Sequence, residues 1–275
     1  MTYLKKILFF ICFFQFFSCF AQKNDKYYDF SSKKNEKSAF LLGEITKYKF
    51  SYGKSNKKGF LTAGYGQFEV KKITKLRGAD CFYIKASGGS TKLFSLFYEV
   101  NDVFETYLDS SKLTPLKFIR DVHEYNYKAK QEVSFFRDSN FAESRDLNSK
   151  SKKITKISKY TQDMLSALFS SRTILNQNII LNDTIFLEIY NLEKDEIFPT
   201  YFVPIKKESI YTKLGKIKTI KCKIYTKKSR IFSDKNTTYI WVTDDYRHLP
   251  VKLETPIKVG SIYIEILSVE NLYEN

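Results

Sequence analysis

The side chains in this sequence best able to do chemistry are carboxylates. Asp102, Glu105 and Asp109 fall within one short stretch. Two carboxyl groups that face each other can divide the roles of general acid and base, or of acid and nucleophile, as glycoside hydrolysis requires. In an extended strand Glu105 and Asp109 share a face, so a glycosidase-like pair is one reading of this set. Ordinary charges on a solvated strand face are the other, and the preferred one. Asp244 and Asp245 are adjacent, and neighbouring strand carboxylates point to opposite faces, which suits them poorly to hold one cation. Ser87-Gly88-Gly89-Ser90-Thr91-Lys92 offers backbone N–H groups to an anion but fits a hairpin turn better. The two histidines, His123 and His248, read as a strand-end and a turn residue. No GxSxG elbow, HExxH helix or GxxxxGK[ST] loop occurs. The expectation is a protein that is not an enzyme, with no catalytic residues, no metal and no cofactor.

Cysteine is sparse. Cys12 and Cys19 lie in an apolar leader, which leaves Cys81 and Cys222. An oxidising compartment permits a disulfide between them, and two buried free thiols are the alternative. No Cys/His cluster has metal-ligand spacing.

The leader fixes a destination. Lys5 and Lys6 precede an apolar run from Ile7 to Phe20, and Cys19-Phe20-Ala21 provides a small-residue exit before Gln22. These are the three parts of a secretory signal. Residues 1–21 are therefore read as a signal peptide cut after Ala21, for a protein of the periplasm or outer-membrane periphery. Lipidation at Cys19 is the minority alternative. The run falls short of the ~20 residues that span a bilayer, and no later stretch is long and apolar enough. No transmembrane segment is expected after cleavage.

The formal charge is +16, and 39 of the 46 basic residues are lysine. Nucleic-acid binders concentrate Lys and Arg on one face, whereas these lysines are scattered along nearly every strand-like segment. A solvated lysine surface is preferred and no nucleic-acid partner is expected. Anionic lipid head groups or glycans remain open. Aromatic residues make up 17% of the chain, ample material for a core.

The positioning elements read mostly as strands. Residues 22–39 are polar and read as a disordered linker. One antiparallel β domain then fills 40–275, in two β-rich halves at about 40–136 and 184–272. Tyr48–Tyr52, Gln67–Ile73, Cys81–Ala86, Leu93–Thr106, Phe118–Val122 and Lys128–Phe136 alternate or are aromatic-rich. Residues 137–159 read as a polar loop or flap. Thr161 is the expected N-cap of the main helix, 162–175, whose stripe is Met164, Leu165, Leu168 and Phe169. Strands resume at Thr184–Tyr190, Thr200–Val203, Ile217–Thr226, Thr237–Val242, Val251–Leu253 and Ser261–Val269.

The halves echo each other. A Cys-bearing strand is followed by a strand, an Asp turn, a Pro and another strand. Asp109 to Pro115 forms one such turn and Asp244 to Pro250 the other. Asp bonds its own downstream backbone, and Pro opens a strand without needing a ladder donor.

Phe40-Leu41-Leu42-Gly43-Glu44, Tyr98–Asp102, Glu105–Asp109, Gln162–Ala167 and Trp241–Asp245 with Leu249-Pro250 resemble, over roughly 40–272, the bacterial domain-of-unknown-function family 3108. The Leu-Pro hairpin and the strand at Val259–Ile262 are similar to hairpins of the LolA, LolB and RseB lipoprotein-carrier superfamily. That likeness implies a large curved antiparallel sheet, a half-barrel or open barrel, with an apolar concavity for a lipid or acylated partner. Tyr98, Phe104, Tyr107 and Trp241 are the aromatic residues expected to line it. A structural module binding anionic glycan or lipid head groups and a hydrolase with an acidic pair are the alternatives.

Overall fold

Period-two burial builds this molecule. From Val100 to Asp109 the inward residues are Val100, Asp102, Phe104, Thr106 and Leu108, with more exposed residues between them. A strand so patterned can bury only one face, and the sheet must curl to enclose it. The computed structural model describes residues 39–54, 57–174, 180–225, 237–257 and 260–271. The signal expected at 1–21 and nearly all of the expected linker lie outside these residues. Among the described residues no helix is long and apolar enough to cross a membrane.

The first half contains β1 (Ile45–Lys54), β2 (Lys57–Leu76), β3 (Ala79–Ser90), the single turn α1 (Lys92–Ser95), β4 (Val100–Asp109), β5 (Pro115–Glu124), β6 (Tyr127–Phe136), β7 (Phe141–Asp146) and β8 (Lys152–Lys156). The second contains β9 (Thr161–Gln162), α2 (Met164–Ile174), β10 (Ile185–Asn191), β11 (Glu196–Thr212), β12 (Gly215–Tyr225), β13 (Thr238–Thr243), β14 (Pro250–Pro256) and β15 (Ser261–Glu270). All fifteen strands form one open sheet, ordered β8 to β1, then β15 down to β9. Each half is an antiparallel meander, joined by pairing β1 to β15 from Ile45 opposite Glu270 to Gly53 opposite Ser261. The one parallel pair, β9 with β10, is linked by α2. The sheet is not closed by a ladder. Side chains bridge its ends: Tyr190 Oη lies 3.4 Å from Thr155 Oγ1, Thr155 Oγ1 donates to Asp195 O at 3.4 Å, and Ser158 donates to Glu188.

The echo is a true structural repeat. The Asp109 N–H donates to Thr114 O at 2.9 Å, and the Thr243 N–H to Leu249 O at 2.9 Å. Ser110 N–H reaches back to Asp80 O and Asp244 N–H to Lys218 O, both at 2.9 Å. Leu113 and His248 supply the positive φ, at 51° and 41°. Leu108 pairs with Pro115 and Val242 with Pro250, each just after a bulge. The cysteines do not share the repeat. Cys81 pairs with Asp109, but Thr219, not Cys222, pairs with Thr243.

Several expectations need correction. Residues 137–159 are not a flap, since they contain β7 and β8. The small inward residues Ala142 and Ser144 conceal the strand signal there. The apolar start of Leu93–Thr106 is α1 with its connector, not a strand. Gly88 and Gly89 lie inside β3, not at a turn. Gly88 sits opposite Gly66, where an added Cβ would stand 2.7 Å from the Phe50 ring, so glycine admits that ring. Ala39, placed in the linker, is fully buried.

Candidate functional site

The interior of the curled sheet is divided by α2. Its N-cap is Asp163, not Thr161. The Ser166 N–H donates to Asp163 Oδ1 at 2.8 Å, and the Asp163 N–H donates to Ser166 Oγ at 2.8 Å, a reciprocal capping box. Thr161 and Gln162 belong to β9, which shortens the expected start, and the expected end at residue 175 lies outside the described residues. Thr106 Oγ1 donates to Asp163 Oδ2 at 2.6 Å, tying the cap to β4. Burial pushes the Asp163 carboxyl up to about 6, against the pull of these donors. Asp163→Ala is expected to lower the unfolding free energy by ~1–2 kcal/mol, through cap and tether together. A urea titration checks this.

Nearly every side of α2 is buried. Leu165 and Phe169 enter the larger core, where Phe169 meets Phe40 edge-on at 5.1 Å. That side of the concavity is filled. The other side carries Met164, Ala167, Leu168 and Ser171, and faces an apolar cavity of about 120 Å³ against the second half. Leu187 and Ile189 of β10, Phe202 of β11, Ile224 of β12, Ile240 and Val242 of β13 and Leu253 of β14 complete the wall. The cavity is partly open to solvent. Its lining is mostly aliphatic, with Phe202 as its phenyl ring and Ser171, Arg172, Thr200, Thr238 and His248 as its polar members; the Thr200 hydroxyl is buried without a hydrogen-bond partner.

The polar groups beside it are largely committed. Arg172 Nη1 and Nη2 donate to the two carboxylate oxygens of Glu44 at 2.6 and 3.0 Å. Nη2 also reaches Ala39 O at 2.6 Å, and Nε reaches Arg247 O at 2.8 Å. The Phe40 and Phe169 rings lie 5.8 and 5.6 Å from the guanidinium carbon. Thr238 and Thr255 hydroxyls bond each other at 2.9 Å. His248 Nδ1 lies 3.1 Å from Arg172 O, and burial holds its pKa below the usual imidazole value. His248 is therefore a turn residue, as expected, but a buried one, and burial disfavours its charged form. The cavity offers a mainly apolar surface, and among the described residues its lining presents no nucleophile–base pair.

The residues expected to line a concavity are dispersed. Phe104 is core, stacked with Phe118 at 6.3 Å. Tyr98 is buried under the β5–β6 turn, stacked on Tyr125 at 5.9 Å. Tyr107 points outward and stacks on Tyr83 at 5.1 Å. Trp241 occupies the face opposite Ile240 and Val242, where its indole N–H donates to Glu208 at 2.9 Å and Lys221 and Lys252 lie over its ring. None of the four lines the cavity.

The acidic set does not assemble either. Asp109 Oδ1 accepts from the Ser111 hydroxyl at 2.7 Å and from the Ser111 and Lys112 N–H groups at 2.8 and 2.9 Å; against the upward push of burial, the hydroxyl foremost, these donors hold its pKa low and organise its turn. Glu105 faces outward and accepts from Tyr83 Oη at 2.7 Å. Asp102 faces inward, fully buried, and its neighbour is Glu124. Register makes them diagonal partners, since Asp102 pairs with Val122 and Val100 with Glu124. Asp102 Oδ1 accepts from the His123 N–H at 3.0 Å, while Asp102 Oδ2 and Glu124 Oε2 are buried without a hydrogen-bond partner. Burial raises both pKa values, and the Asp102 charge raises that of Glu124 further. Cys81 and Cys222 are both buried free thiols, so the disulfide is not formed. Asp244 pairs with Lys207 and Asp245 with Arg247. Among the described residues no group of three potential metal ligands converges.

Comparison with known proteins agrees with the architecture. A β-barrel-like protein of the domain of unknown function DUF1849 from Brucella abortus superposes with a TM-score of 0.55 at 9% identity, covering 86% of this chain and 99% of that one. That likeness shows a shared fold. A candidate lipoprotein from Parabacteroides distasonis is 13% identical, covers 86% of this chain and all of that one, and scores 0.33. A candidate exported protein with a YmcC-like fold from Bacteroides fragilis is 10% identical, covers 84% and 97%, and scores 0.32. Scores so low carry no argument. Curated proteins give no match. The family model described as "Protein of unknown function (DUF3108)" matches residues 47–267, most of the chain, and the protein belongs to that family.

Proposed function

We propose that this is an exported cell-envelope protein that binds an apolar group, such as a segment of an acyl chain, between α2 and strands β10 to β14. The observation that carries the reading is the cavity. Met164, Ala167, Leu168, Leu187, Ile189 and Ile240 surround an unfilled, predominantly apolar space, unlike the polar cleft lined by Gln131, Ser144, Lys152 and Asp195 at the other end of the sheet. Export rests on the signal reading of residues 1–21.

Size limits the ligand. A volume of about 120 Å³ is close to the ~150 Å³ of an apolar cavity that takes up benzene. Burying roughly six methylenes there is worth ~5 kcal/mol before ordering costs. One stretch of a chain fits, with the rest at the open side. Ala167→Phe places a ring in the space. A fluorescent fatty acid is expected to bind the native protein and to lose at least tenfold in affinity with Ala167→Phe. Native mass spectrometry of protein from envelope extracts should show the corresponding lipid. Bare protein and no uptake would sink the reading.

A further inference from the structure

The first half of the sheet ends in a rim that does not look like a solvated edge. Leu93, Leu96 and Phe97 on and after α1 are 62%, 77% and 74% exposed. Phe94 turns inward and packs against the core, fixing the projection of the others. The Thr91 hydroxyl accepts the Phe94 N–H at 3.2 Å, and Tyr98 N–H returns to Phe94 O at 2.9 Å, so the knob is built rather than frayed. The β5–β6 turn lies beside it, joined by Tyr125 N–H to Glu99 O at 2.8 Å, and it too exposes aromatic rings, Tyr125 and Tyr127. Soluble surfaces rarely gather large apolar side chains this way without a partner.

The charge at this rim narrows the partner. Lys92 adjoins the knob, Lys128 follows Tyr127, and Lys150 and Lys153 stand on the next turn and strand; all four are exposed. Glu99 is an exposed carboxylate beside the knob, and the β10–β11 turn brings exposed Glu193 and Lys194 to the same rim, where Lys153 Nζ reaches Asp195 O at 3.4 Å. Leucine and phenylalanine tips, flanking tyrosines and surrounding lysines form the composition that settles at a membrane–water interface carrying anionic lipid. A protein interface core would instead be depleted of lysine.

We infer that the α1 knob, with the β5–β6 turn beside it, docks this protein on an anionic lipid bilayer, inserting Leu96 and Phe97 among the head groups. This surface is separate from the cavity beside α2, and the two are tested independently. Purified protein is floated with vesicles of phosphatidylethanolamine and phosphatidylglycerol, and with phosphatidylcholine alone. Native protein is expected to float with the anionic vesicles and to be released by salt. The Leu96→Ser/Phe97→Ser double variant should bind at least tenfold more weakly with an unchanged thermal midpoint, as both side chains are exposed. Ala167→Phe should float like the native protein. Phe97→Trp should show a blue-shifted emission on anionic vesicles. Equal flotation of native and double variant would overturn the inference. So would a native dimer in sedimentation, lost in the double variant and accompanied by no vesicle binding, since a second copy of the chain would then be the occupant.

Discussion

Arg172→Ala is expected to lower the unfolding free energy by ~3–5 kcal/mol, the usual cost of stranding one member of a buried ion pair. Both side chains are only 3% exposed. The substitution leaves the Glu44 carboxylate without its two guanidinium donors. It also strips a donor from the carbonyls of Ala39 and Arg247, so the 39–44 segment and the β13–β14 turn lose the side chain on which both converge. A chain of this size loses roughly 2–4 °C of midpoint per kcal/mol, so a fall of about 10 °C or more is anticipated. Replacing both partners, as Glu44→Gln with Arg172→Met, should recover part of the loss because no charge is then stranded. Guanidinium titrations of the three variants give the comparison. A loss under ~1 kcal/mol for Arg172→Ala would show that water reaches the site.

Glu124→Gln should instead change how stability depends on pH. Burial raises the pKa of both Asp102 and Glu124 above the ordinary carboxylate range; Arg120 draws both down, and Glu193 adds to the rise at Glu124. As pH climbs past the unfolded-state values, the unfolded chain gives up protons that the folded chain retains. Stability therefore falls with rising pH until the folded pair has also ionised. For each retained proton the slope is ~1.4 kcal/mol per pH unit. Glutamine keeps the neutral shape, cannot ionise, and removes the charge repulsion with Asp102. The variant should lose much of the slope and exceed the native protein in stability at pH 8 while matching it near pH 4. Urea midpoints at pH 4, 6 and 8 test this, and parallel curves would mean that Glu124 ionises as freely folded as unfolded.

How far the sequence reaches can be judged residue by residue. Strand alternation is plain from Val100 to Asp109, and the α2 stripe of Met164, Leu165, Leu168 and Phe169 is plain because helix and strand periods differ. The repeated turns were visible in Asp109 to Pro115 and Asp244 to Pro250, since turn chemistry is local. The site was not. Its wall comes from five strands of the second half, and only long-range pairing determines which apolar face meets α2. Tyr98, Phe104, Tyr107 and Trp241 are the aromatic residues expected to line a concavity, yet large rings fill space, and a cavity persists where branched aliphatics and Ala167 leave it. Asp102 is legible only as one of an acidic set with Glu105 and Asp109, whereas its buried neighbour, Glu124, reaches it across a strand pair. Glu44 ends the Phe40-Leu41-Leu42-Gly43-Glu44 motif, and Arg172 interrupts an apolar helix. A lone guanidinium on a buried stripe was the available signal for that pair.

The first and last long strands of the fold, β1 and β15, lie side by side in the middle of the sheet. A chain made from its N-terminus forms the β1-to-β8 meander early, with one edge of β1 unsatisfied until Ser261 to Glu270 emerge. Until then that edge offers unpaired N–H and C=O groups to any passing strand. Closure spans more than two hundred residues, so its entropic cost falls at the end of folding. The protein therefore depends on being kept apart from its neighbours until β15 has been made, and a frameshift that replaces Ser261–Glu270 removes the strand that joins its two halves.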